Sequence, residues 1–260
     1  MTFSNSKYSR QRSAASNSSN ARQSSGDSGS RGDISILGPV VMPIVEDMLN
    51  PSDDDYEPKF SVLANTRLTS LLGLIIFVEL LLIGITVPAI GQLFALHAII
   101  GYLLIVPILL KIASTSYRFF KYYLGNEPYK AAGPPRILLR VAAPILVIST
   151  IILMASGVVL MIIGPTGTAE PLWKTIHQAS FVVWFAVATV HIVSYFSKAF
   201  YQGGAEIGGK KQLGPFKVSQ RKPPFRLLRL TLVALTLILS VVVLILQYHY
   251  IAPWQHYFSG

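Results

Sequence analysis

Apolar residues gather in five runs, at about 68–90, 93–117, 137–164, 172–197 and 227–251. Each run reaches the roughly 20 residues that a helix needs to cross hydrocarbon. Backbone groups in lipid must satisfy one another, so helices are the natural form. The pattern therefore predicts an all-α fold, an integral membrane helical bundle of five transmembrane helices over residues 67–254. Pro88, Pro107 and Pro144 fall within or near the ends of these spans, and Pro107 is expected to kink the second. Polar positions dominate residues 1–66. Residues 1–34 hold eleven serines and hardly any large apolar side chain, too little to offset the entropy of ordering. Residues 35–49 are mixed and suit a membrane surface or a partner. Asp53-Asp54-Asp55 reads as a solvated linker. The expectation for 1–66 is thus a disordered tail and linker, with no signal-peptide core. Arg31-Gly32-Asp33 is a chance match to an adhesion tripeptide in a low-complexity tail.

Composition agrees: the chain is 52% hydrophobic and 13% charged, too apolar for an ordinary soluble domain. The net charge of +10 does not point to nucleic acid. The basic residues sit between apolar runs and form no stripe with interleaved aromatics. The connections after spans two and four, with their helix ends, carry thirteen Lys and Arg, whereas the opposite connections carry only Lys174. The positive-inside rule then places the basic loops and the N-terminus in the cytoplasm and the C-terminus outside, in a multi-pass inner (plasma) membrane protein. There is no cysteine, which excludes disulfides, thiolate metal sites, iron–sulfur clusters and covalently attached haem.

The fourth span contains His177 and His191, 14 residues apart. Fourteen residues turn through about 1,400°, so both imidazoles share a face, about 21 Å apart along the axis. That geometry suits two haems stacked across a membrane. His97 begins the second span at the same expected depth as His177, and the two are expected to face each other as axial ligands. Gly101, one turn below His97, removes a side chain where a flat macrocycle needs room, and Gly157 in the third span offers the same. Fourteen residues past His97 stands Lys111, level with His191. Three roles are open to it: snorkelling or structural pairing, contact with a haem propionate or anionic headgroup, or iron ligation. Glu79 is the one carboxylate inside a span and stands as a proton carrier, a quinol contact, a partner of Lys111, or a protonated interhelical hydrogen bond. His249 and His256 belong to an aromatic stretch, YHYIAPWQHYF, expected at the membrane interface.

These pieces resemble bacterial b-type membrane cytochromes, the cytochrome b-like anchor subunits of respiratory oxidoreductases. The carriers are LHAIIGYLL at 96–104, YRFFKYYLGNEPYKAAGPPR at 117–136, ASGVVL at 155–160 and HQASFVVWFAVATVH at 177–191, within about 94–197. In di-haem members both ligand helices carry a spaced histidine pair, and here only one does. The resemblance implies haem b at His97 and His177, with a second haem at His191 open. It implies electron transfer between a quinone pool and a peripheral oxidoreductase subunit, as a subunit more than as a stand-alone enzyme. The competing reading is a cofactor-free membrane accessory or scaffolding protein, which leaves the His97–His177 pair to chance.

Overall fold

The computed structural model describes residues 59–133, 137–208 and 223–259. Of the tail and linker expected over 1–66, residues 1–58 lie outside the described residues. Among those described, every regular element is helical. Helix α1 (Phe60–Thr86) is followed by a 3₁₀ turn at Val87–Ala89 and by α2 (Ile90–Tyr123). A short α3 (Glu127–Ala131) precedes α4 (Ile137–Ile163) and the 39-residue α5 (Glu170–Gly208). Helix α6 (Arg226–Gln247) passes through a 3₁₀ turn at Tyr248–Tyr250 into α7 (Ile251–Ser259).

Four stretches are long and apolar enough to cross a membrane. The first, Phe60–Tyr123, has 64 residues; as one straight rod it would measure about 96 Å, three times the hydrocarbon thickness. It folds back at Val87–Ala89 instead, so the bundle has five long helices. Pro88 sits in that turn, where its missing N–H is harmless. Helical dihedrals run through Pro107, and the irregular residue of α2 is Leu93 (φ −105°, ψ 18°).

The two largest departures from the expected boundaries are the start of α1 and the end of α5. Helix α1 begins at Phe60, inside the segment expected as linker. Its first turns look too polar for a span, but their polar groups are used in packing. Asn65 Nδ2 donates to Ser114 O (3.1 Å) and Ser114 Oγ (3.0 Å). Thr69 Oγ1 lies 2.7 Å from Ser114 Oγ. Helix α5 continues from the expected end at 197 to Gly208. Gly203 explains how it stays against α1: a Cβ there would meet Leu74 Cδ1 at 2.6 Å and Ser70 O at 3.2 Å. Small residues at such crossings let backbones approach closely.

In space α5 lies between α4 and α1, and α1 lies between α5 and α2. On its other flank α2 carries α6 and α7, while α4 touches it over a short stretch only. Leu71 and Leu72 of α1 pack with Val233 of α6. Ile76 packs with Ile100, Leu104 and Ile108 of α2. Trp254, expected in an interfacial belt, is buried with Ala98, Tyr102 and Met161 and stacks on Phe94 at 5.4 Å. Outward positions stay apolar: Ile85, Val182 and Ile245 are each about two-thirds exposed, at 68%, 66% and 67%. Surface of this extent is apolar enough to contact membrane lipid. Outside the spans, Gly125 takes φ 82° at the end of α2, a backbone that favours glycine. The turn brings Tyr129 against Tyr117 (6.0 Å) and Ser61 O (3.4 Å). Burial there, with Tyr117 beside it, pushes the Tyr129 phenol above its ordinary range.

Candidate functional site

The site is built on one end of α2 and the facing parts of α4 and α5. His97 Nδ1 lies 2.8 Å from Thr86 Oγ1. Thr86 is fully buried, and its hydroxyl donates to Ile83 O at 2.5 Å. With its proton committed there, Oγ1 accepts, so His97 carries its hydrogen on Nδ1. Nε2 then bears the lone pair.

His177 is anchored in the same sense from a different helix. Its Nδ1 lies 3.0 Å from Leu153 O and 3.1 Å from Ser156 Oγ, both on α4. A carbonyl only accepts, so Nδ1 again carries the hydrogen. Ser156 Oγ donates to the same Leu153 carbonyl at 2.9 Å. Gly157 makes this possible: a Cβ there would sit 3.1 Å from His177 Cε1, so the ring lies close over the α4 backbone. The two imidazoles lie within electrostatic reach of each other. In each ring Nδ1 is bonded and Nε2 keeps its lone pair.

The remaining sequence candidates fall elsewhere. A Cβ on Gly101 would meet Ile83 Cδ1 at 3.8 Å, so this glycine faces α1. Lys111 is within electrostatic reach of His191, and its Nζ donates to Thr69 O of α1 at 3.0 Å. That bond needs Gly73, whose Cβ would sit 2.9 Å from Nζ. Lys111 thus pairs structurally with α1. His191 packs against Tyr195, one turn on, at 4.9 Å. Glu79 lies two turns before Thr86 on one face of α1, and its Oε2 is buried with no hydrogen-bond partner among the described residues. His249 and His256 are exposed in the α6–α7 segment. Among the described residues no three His, Cys, Asp or Glu side chains converge.

Sequence reasoning missed Thr86, Ser156 and Gly73. Their one advance signal was a small residue in an apolar helix, which had no meaning until its neighbour was known. No protein-family model matches the chain, and no curated protein or solved structure shows significant similarity to it.

Proposed function

We propose that the chain is a membrane electron-transfer protein that holds one haem b between His97 and His177. It passes electrons between a quinone pool and a peripheral oxidoreductase partner, with its basic loops and N-terminus in the cytoplasm. The observation that carries this reading is the matched pair of imidazoles, each with Nδ1 bonded to an acceptor and Nε2 left with its lone pair. Two neutral imidazoles on separate helices fit a b-type haem, whose iron is held axially and without a covalent tether. Bound haem would supply one-electron chemistry.

The chain's own residues do the rest. The Thr86 hydroxyl and the Leu153 carbonyl fix each ring's tautomer and raise its basicity as a donor. The apolar walls of α1, α2 and α4 keep water out and hold the local dielectric low. The Lys111 ammonium is engaged by Thr69 O, which favours one haem over two.

The test is a reduced-minus-oxidised spectrum of protein expressed with ample haem supply. His97→Ala and His177→Ala are expected to damage the same spectral component, because each removes half of one site. His249→Ala and Lys111→Met are expected to leave it intact. A colourless wild type would overturn the haem reading and favour the cofactor-free scaffold.

A further inference from the structure

Helices α2 and α6 run antiparallel. Leu110 packs in the cluster of Val233, while Val243 and Leu244 pack against Ala98 and Tyr102. Along the seam, on the side where Leu235 and Leu239 are exposed, lies a groove of about 390 Å³. It runs from Val106 to Ala113 on α2 and from Leu232 to Leu239 on α6.

The walls are apolar. Their one hydroxyl, Thr236 Oγ1, donates to Leu232 O at 2.7 Å, so the groove turns no hydrogen-bond donor to an occupant. An empty gap costs its lining atoms their contacts, and an apolar gap does not hold water. Both helices belong to stretches apolar enough to cross a membrane, so the filling is hydrocarbon. A helix of a second copy and a lipid chain compete for the place. Eight residues line the groove, against about 20–30 a side in a stable protein interface. Helices in lipid pair through small residues, whereas leucines of both helices line these walls. One flexible chain needs neither a large interface nor close backbones.

Depth and charge identify that chain. From Val106 to Lys121, α2 advances by about 22 Å. That is half of the roughly 40–45 Å bilayer with its headgroups. Lys121 follows Leu110 by three turns and about 20°, so it stands beyond the end of the groove on the same face. Its Nζ lies 5.5 Å over the Tyr117 ring, and no carboxylate pairs with it among the described residues.

We propose that the groove holds one acyl chain of a phospholipid from the leaflet on the Lys121 side, with the lipid phosphate at the Lys121 ammonium. Neither His97 nor His177 takes part, so this inference and the haem reading fail separately.

The test uses the full chain, purified in detergent with added phosphatidylglycerol. Native mass spectrometry reads lipids per chain and chains per particle in one spectrum. Wild type is expected to keep one phosphatidylglycerol at detergent concentrations that strip the rest. Ala113→Phe and Leu239→Trp fill the groove from opposite walls at exposed positions, and each is expected to lose that lipid. Should one of them not fold, the other decides. Val182→Phe, on the outward face of α5, is expected to keep it. Lys121→Gln is expected to weaken retention about fivefold, the worth of one surface cation near an anionic headgroup. Four results would overturn the proposal: no lipid retained by wild type, full retention by the groove-filling variants, equal retention of uncharged diacylglycerol, or a dimer of chains that those variants break in place of a lipid.

Discussion

Replacing Thr86 by valine removes one oxygen and keeps the branched shape. In the folded bundle that oxygen accepts from His97 Nδ1 at 2.8 Å and donates to Ile83 O at 2.5 Å. Thr86 has 0% exposure, so water does not take its place. A buried N–H left without an acceptor costs about 1–3 kcal/mol. The loss of a donor to Ile83 O favours the upper part of that range. The equilibrium between folded and unfolded protein in mixed micelles, followed by tryptophan fluorescence, should shift accordingly, by about 5- to 150-fold. Thr86→Ser, which keeps the hydroxyl, is expected to recover most of the loss. In the haem reading the same change loosens an axial ligand's support, and affinity should fall about 10- to 100-fold. Nitrogen NMR of labelled histidine gives an independent reading: His97 is expected to be protonated on Nδ1 in wild type without haem. Protonation on Nε2, or a Thr86→Val stability within about 0.5 kcal/mol of wild type, would refute the anchoring argument.

Gly203→Val places a Cβ 2.6 Å from Leu74 Cδ1 and 3.2 Å from the Ser70 carbonyl. Since a backbone atom yields little, a loss of about 1–3 kcal/mol is expected, and Leu74→Ala should relieve only the side-chain part. Gly73→Ala is expected to push Lys111 Nζ off Thr69 O, because the new Cβ falls 2.9 Å from it. In a double-mutant cycle with Lys111→Met the two losses should not add, and simple additivity would argue against their contact. Cysteines introduced singly at Asn126 and Gly167 report topology, since the chain has none of its own. An impermeant reagent outside intact cells is expected to label Gly167→Cys only, and labelling at Asn126→Cys would reverse the orientation.

The helices were legible because outward-facing apolar positions outnumber buried ones, so hydropathy alone locates all five long helices. It failed at the start of α1 and at the end of α5, for one shared reason. Asn65, Arg67, Thr69 and Glu206 lower the local hydropathy, yet their side-chain polar groups meet partners on neighbouring helices. A pattern along one chain does not show such pairings. The same division runs through the site. Equal depth from the span ends matched His97 with His177, and the 14-residue intervals along each helix then matched Lys111 with His191. What holds the rings is tertiary: a threonine at the end of α1, a carbonyl on α4, and a glycine that clears the way. Gly157 attracted notice for space beside a macrocycle; the structure gives that space to the His177 ring.

Lys111 also constrains the order in which the protein is made. A lysine inside a lone apolar helix raises the free energy of insertion, by about 2.5–3.5 kcal/mol at the helix centre on translocon scales and by less toward an end. In the folded bundle that ammonium is engaged from outside α2. The Thr69 carbonyl and the gap at Gly73 both belong to α1, which leaves the ribosome first. The first two helices should therefore partition into the bilayer as a preassembled hairpin, with the first acting as an intramolecular chaperone for the second. Residues 90–123 fused alone to a reporter should insert poorly, and should recover when 60–89 precede them.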